Sequence, residues 1–324
     1  MNIPKIIKAP IDKEMKSFDD FFARQVDSKV ALLNIITNYV IRSRGKQLRP
    51  ILVFLSAKLN GEITEKTYIA ASLIELLHTA TLIHDDVVDE TYQRRGFFSI
   101  NSLWRSKTAV LAGDYMLSTG LMIALKSKEI GVLEVISAAV KEMSEGELIQ
   151  IEKTRRLDIT EDVYYEIIRK KTATLIAACT KAGVYSVNGT DEQLEKMRMF
   201  GENLGMAFQI RDDLLDYEKT NLTGKPTGND LKEKKITLPL IYLLNNSTKT
   251  EKNSILKTIQ RHHDNERKII PLIKKVKESG GIEYARKSMI SFQKKALEIL
   301  NTYPETDAQN SMRELVYFIT ERKG

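Results

Sequence analysis

Asp85-Asp86-Val87-Val88-Asp89 and Asp212-Asp213-Leu214-Leu215-Asp216 share one pattern, two adjacent acids with a third at i+4 from the first. On a helix this spacing sets the first and last carboxylates on one face, a turn apart. Like charges so placed weaken an isolated helix by roughly a few tenths of a kcal/mol, so three acids together call for a compensating cation. A donor set made only of oxygens favours a hard metal such as Mg2+, which keeps several waters and shares its shell with substrate phosphates. One cluster alone reads equally well as a solvated helix end; a second copy of it, again closing a helical run, moves the reading to metal. If the two lay across one bundle, ions held between them would neutralise a diphosphate and improve it as a leaving group.

Cations stand near the acids. Gly45-Lys46-Gln47-Leu48-Arg49-Pro50 precedes a helix expected from Ile51, with Pro50 suited to its first turn. Lys46 and Arg49 thus fall at the positive end of a helix, where a phosphate can be held, although such a loop by itself is ordinarily just solvated. His78 lies seven residues before Asp85, on the same helix face and roughly 10 Å away. On an apolar run it reads equally well as a satisfied core histidine. Arg94 and Arg95 follow the first cluster, in reach of phosphate oxygens beside the metals.

The elements that carry these residues are helices. Between Pro50 and Pro226 the chain contains no proline, which suits long helices far better than a sheet with many turns. Helical periodicity runs through 66–91, where Ile69, Leu73, Leu76, Leu77, Ile83, Val87 and Val88 recur at three- and four-residue steps, and through 103–125, 132–152, 161–187 and 192–217. Breaks are expected at Asn60-Gly61, Gly96, Gly131, Asn188-Gly189 and over 219–231, the one substantial loop. The part from about residue 245 is richer in lysine, with shorter patterns at 264–278 and 282–301, and is expected to pack outside the central bundle. The absence of low-complexity linkers and fixed-period repeats predicts one all-α domain over 1–324, a bundle of long antiparallel helices.

With 42% hydrophobic and 29% charged residues, the 324-residue chain has the balance of a globular protein. Its net charge of +7 is spread along the whole length, which argues against nucleic acid as a partner. Cys179 is the single cysteine, so an internal disulfide is excluded. The N-terminus lacks the apolar core of a secretory signal, and no run approaches the about 18 consecutive apolar residues that cross a bilayer. A cytoplasmic protein with at most peripheral membrane contact is expected.

The chain resembles the trans-isoprenyl diphosphate synthases across nearly its whole length. The resemblance rests on GKQLRP at 45–50, LLHTATLIHDDVVDETYQRRG at 76–96, AVLAGDY at 109–115, KKTATL at 170–175, GMAFQIRDDLLDYE at 205–218 and GKPTGNDLKEKKITLPLIY at 224–242. It implies that Lys46, Arg49, His78 and Arg95 bind isopentenyl diphosphate and that Arg94, Lys171, Lys225 and Lys235 hold an allylic diphosphate such as farnesyl or geranyl diphosphate. Asp85, Asp89 and Asp212 would coordinate roughly two or three Mg2+ ions per site, with Asp86, Asp213 and Asp216 ligating or supporting them, while Thr172 and Gln209 line the reacting carbons. The implied reaction ionises the allylic diphosphate, lets the isopentenyl double bond attack the cation and then releases a proton. A homodimer, and membrane contact during product release, come from the resemblance alone.

In this family product length follows from side chains one or two turns before the first cluster, here Leu77, Ala80 and Thr81. Ala80 and Thr81 are small, so a medium- or long-chain product of the kind used in quinone side chains is expected, unless Met116, Met122 or Met143 closes the tunnel earlier. Two positions depart from the family pattern. Phe97-Phe98 stand where many relatives carry a nearby proline, and Arg105 follows Trp104 where glycine is common. Other readings are a geranylgeranyl or farnesyl synthase, a terpene cyclase, a phosphohydrolase with a metal centre at His78, His84 and Asp85, and a non-catalytic subunit of a heteromeric synthase. The intact second cluster argues against the last three.

Overall fold

The computed structural model describes residues 3–43, 45–94, 96–218 and 228–322. Among these the fold is all-α, and the one sheet is the hairpin of β1 (Gln93–Arg94) and β2 (Phe97–Phe98). Arg95 and Lys225 lie outside the described residues, as does the side chain of Arg94.

The chain forms two compact units, each drawn from separate stretches of sequence. The first gathers the described residues up to Val140 with Ala178–Arg198 and Tyr303–Met312. It holds α1 (Lys5–Lys8), α2 (Asp12–Gln25), α3 (Ala31–Ser43), α4 (Leu48–Asn60), α5 (Glu65–Val88) and α6 (Ile100–Ser127). Phe18, Phe22 and Phe54 are fully buried; Phe18 meets Phe54 edge-on at 5.7 Å, and Phe54 meets Tyr68 of α5 at 5.0 Å. That aromatic wedge sets α2 and α4 against α5 and contributes about 0.5–1.5 kcal/mol per ring pair beyond area burial. The other side of α5 packs along α6, where the buried Gly120 faces Leu73, Leu76 and Leu77.

The second unit comprises Lys141–Ala177, Met199–Thr302 and the described residues from Arg313. Its single core joins Tyr164 and Ile168, Ala207, Ile210 and Leu214, and Leu238, Leu240, Ile241, Ile269, Ile273, Val276 and Ala285. Those side chains come from α8 (Glu161–Ile168), α10 (Asp191–Glu218), α12 (Leu238–Asn245), α14 (Glu266–Glu278) and α15 (Gly281–Leu300). The lysine-rich part from about residue 245 therefore does not pack outside a bundle; its α14 and α15 build this core together with α12. The lysines of α14 occupy one face while Ile269, Leu272, Ile273 and Val276 recur at helical spacing on the other.

Several boundaries differ from the periodicity. The run expected over 161–187 is α8, a π-helical turn at Arg169–Ala173, and α9 (Thr174–Ser186). Gly131 is not a break: it lies inside α7 (Ile130–Arg156), and a Cβ on it would sit 2.0 Å from the Tyr185 hydroxyl. The chain turns instead at Lys128, in left-handed backbone with φ 59°. Helix α4 begins at Leu48 rather than Ile51, after Gln47 at φ 53°. Within the stretch read as one long loop, Asn229–Lys232 form α11, and α13 (Lys249–His262) and α16 (Asp307–Thr320) complete the chain. By length and composition α6 is apolar enough to cross a membrane, with 33% of that window buried; Asp114 interrupts its apolar stretch, so the sequence holds no unbroken apolar run of that length.

Candidate active site

Both aspartate clusters sit at the carboxyl ends of helices, Asp85 and Asp86 in the last turn of α5 and Asp212, Asp213 and Asp216 near the end of α10. Neither last turn carries a basic residue. The helix macrodipole is negative at that end, so each cluster adds acid where the backbone already repels it, and the need for a cation exceeds what spacing alone suggests.

In the first unit Asp85 and Asp89 are exposed and Asp86 is buried, its backbone carbonyl accepting from Thr91 N at 3.0 Å. Asp89 caps α5, its N–H donating to Asp85 O at 2.8 Å. His78 is buried on the same helix. Lys46 is exposed and Arg49 half-buried at the start of α4. Arg49 is close enough to act on Cys179, whose thiol is pushed up to about 12 by burial first, with Arg49 opposing and Glu75 adding to the rise. Leu77 and Ala80 are buried on α5, and the half-buried Thr81 donates to His78 O at 2.8 Å. His84 turns onto α6, with Nε2 3.3 Å from Val110 O and 3.5 Å from Asp114. It thus makes no centre with His78 and Asp85.

In the second unit a cavity of about 350 Å3 brings together Lys171, Thr172, Gln209, Asp212, Asp213, Asp216, Asp230 and Lys235. The side chains form an ordered relay. Tyr164 Oη donates to Asp213 Oδ2 at 2.7 Å, Gln209 Nε2 donates to Asp213 Oδ1 at 2.9 Å, and Thr172 Oγ1 donates to Gln209 Oε1 at 2.7 Å. Asp213 is buried and pushed up to about 8, by burial first and then by the Asp230 charge, against its two hydrogen bonds. Burial, followed by Asp213, likewise holds the Tyr164 hydroxyl well above its ordinary value. Asp216 accepts from Asn229 N at 3.2 Å and Asp230 N at 3.1 Å, so it caps α11. Asp212 is the exposed member, with 53% of its side chain accessible, and Arg322 Nη2 pairs with its Oδ1 at 2.7 Å.

Asp230, Gln150, Tyr164 and Arg322 escape a reading by motif. Asp230 is pushed up to about 6, by burial first and then by repulsion from Asp216, with Lys235 opposing. Burial alone would lower the Lys235 ammonium, yet its pairing with Glu233 and the nearby Asp230 raise it above its usual value. Lys171 pairs with Glu147 and donates to Gln150 Oε1 at 3.3 Å. The cavity thus holds four aspartates against two lysines that already have acidic partners. Among the described residues no three acidic, histidine or cysteine side chains enclose an ion by themselves. The donor set fits a hard divalent cation whose remaining ligands are water and phosphate oxygens.

The family model for polyprenyl synthetases matches residues 30–276. Over 318 residues the chain is 35% identical to an all-trans-nonaprenyl-diphosphate synthase (geranyl-diphosphate specific) of Rhodobacter capsulatus, covering 98% of this chain and 97% of that one. Among solved structures it is similar to a polyprenyl synthase from Caulobacter crescentus complexed with calcium and isoprenyl diphosphate, with a TM-score of 0.89, 30% identity and coverage of 99% and 98%. A geranylgeranyl pyrophosphate synthase from Bacteroides thetaiotaomicron gives a TM-score of 0.83 and 36% identity, with 98% of each chain covered. A cavity of acids and lysines suited to a diphosphate, the all-α fold and these likenesses agree: the chain belongs to the polyprenyl synthetase family of trans-isoprenyl diphosphate synthases and is a prenyltransferase.

Proposed function

We propose that the protein condenses isopentenyl diphosphate with an allylic diphosphate, farnesyl or geranyl, in a Mg2+-dependent reaction, and releases a medium- or long-chain all-trans polyprenyl diphosphate for a quinone side chain. The observation that carries this is the cavity of the second unit, where Lys171 and Lys235 stand beside Asp212, Asp216 and Asp230. The lysines would bind diphosphate oxygens, leaving Glu147 and Glu233 as their resting partners. Asp212 and Asp216 would ligate Mg2+, with Asp230 beside them, and the buried Asp213 would hold Gln209 and Thr172 toward the reacting carbons. Bound Mg2+ supplies Lewis-acid neutralisation of the leaving diphosphate. Ile159, Ile167, Ile168 and Ile236 line the rest of the cavity and keep water from a carbocation.

In the first unit we assign Asp85 and Asp89 to Mg2+ with Asp86 in support, Lys46, Arg49 and His78 to isopentenyl diphosphate, and Leu77, Ala80 and Thr81 to product length. Arg94, Arg95 and Lys225 keep the diphosphate roles that the family resemblance implies. The length assignment is supported by the buried, small Ala80 on α5. We further propose that the chain acts as one catalytic domain and as a cytoplasmic homodimer that meets membranes only peripherally. Leu111, Met122 and Leu125, exposed along α6, suit a second copy. Purified protein incubated with Mg2+, farnesyl diphosphate and labelled isopentenyl diphosphate should extend the primer without a partner protein. No extension, or a product stopping at geranylgeranyl length, would overturn the catalytic or the length reading respectively.

A further inference from the structure

The π-helical turn Arg169–Ala173 is closed on from two sides by glycines. On α7, a Cβ at Gly146 would lie 2.8 Å from Lys170 Cβ and 3.0 Å from Lys171 N. On α10, a Cβ at Gly205 would lie 2.5 Å from Ala173 Cα and 2.9 Å from its Cβ. The obstructing atoms are backbone or Cβ atoms, which cannot swing aside as a side-chain tip can. A helical glycine costs about 0.5–1 kcal/mol relative to alanine, so close approach is the benefit that offsets it.

The turn they grip carries the chemistry. Thr174 N–H and Oγ1 both reach Arg169 O, which satisfies a carbonyl that the π turn displaces from the α-helical ladder. Arg169 pairs with Glu142 at 3.1 Å and Lys170 with Glu145 at 2.6 Å, tying the turn to α7. The added residue in the turn places Lys171 and Thr172 together on the cavity, Lys171 against Gln150 and Thr172 against Gln209. We propose that Gly146 and Gly205 are positioning residues for diphosphate binding: by letting α7 and α10 close on the π turn, they set how far Lys171 and Thr172 reach into the cavity. The inference rests on the diphosphate reading above.

The test compares Gly146→Ala and Gly205→Ala with Gly183→Ala, a packed glycine of the first unit whose added Cβ would lie 2.4 Å from Val53 O. Melting temperature, affinity for inorganic pyrophosphate with Mg2+ by calorimetry, and KM and kcat for farnesyl diphosphate are measured for each, beside Lys171→Gln. All three alanine variants should lose stability. Only Gly146→Ala and Gly205→Ala should weaken pyrophosphate, by on the order of tenfold to a hundredfold, with the effect falling on KM for the allylic substrate. Wild-type affinity in both, or an equal loss in Gly183→Ala, overturns the inference, as does failure of both to fold while Gly183→Ala folds. If Gly205→Ala alone fails to fold, Gly146→Ala decides by the same criterion. Should the wild type not bind pyrophosphate, or Lys171→Gln bind it unchanged, the diphosphate reading itself falls.

Discussion

At Asp212, Asp213 and Asp216 one side-chain type does three jobs, and surroundings decide which. Asp212 is open to the cavity, Asp213 is buried under Tyr164 and Gln209, and Asp216 is oriented by the two amides of α11 from which it accepts, each oxygen keeping a lone pair for a cation. Asp212→Ala or Asp85→Ala should lower turnover by on the order of a hundredfold or more while shifting the melting temperature little, because both are exposed. Near-wild-type kcat in either would remove that residue from the metal assignment. Tyr164→Phe strips a donor from a buried carboxyl group and should cost about 1–3 kcal/mol of stability, read by urea titration; a loss of turnover without a loss of stability would show Tyr164 acting on the reaction directly. Cys179 supplies a third prediction. Its thiol rises to about 12 from 9.0, so the unfolded chain gives up the proton first. Stability from this group is complete below about pH 9 and is lost as pH climbs toward 12. In the native protein at neutral pH it should resist alkylation, and it should react on unfolding; rapid native labelling would contradict the burial.

At the scale of elements, Arg105 stands out. It lies within α6 at φ 66° and ψ 163°, a backbone region that glycine occupies freely and other residues do not. Such strain costs about 1–3 kcal/mol, partly recovered because glycine loses about 0.5–1 kcal/mol more entropy on folding. Arg105→Gly should therefore raise stability by about 1 kcal/mol, seen as a higher melting temperature. A lower one would mean that the guanidinium makes a contact worth more than the strain. The departure from glycine at this position was visible in the sequence, but its consequence was not, since a dihedral angle is set by how α6 leaves the hairpin. The same holds for the π turn: residues 161–187 carry an unbroken helical period, and an inserted residue that keeps the apolar stripe in phase leaves no mark on it.

For the whole molecule, the proposed product length is assigned to α5. Ala80→Tyr should shorten the main product, measured by chromatography of the dephosphorylated alcohols; an unchanged distribution would place the growing tail elsewhere. Residues distant in sequence also meet within the second unit, where Arg322 pairs with Asp212, stacks on Phe208 at 4.4 Å and offers its carbonyl to Arg211. By itself the sequence determined the all-α class, the helices that carry both acidic clusters and the family, and through that resemblance it pointed to Lys171, Thr172, Gln209 and Lys235, which line the cavity. Periodicity, proline spacing and motif order are properties of neighbouring residues, and a helix keeps them. Only the tertiary structure decided that Asp230 shares a cavity with Asp216, that Arg322 reaches Asp212, that Asp213 is buried, and that α12, α14 and α15 supply a core. Each of these depends on which distant segments pack together and how much water they exclude. No local pattern of residue types encodes that.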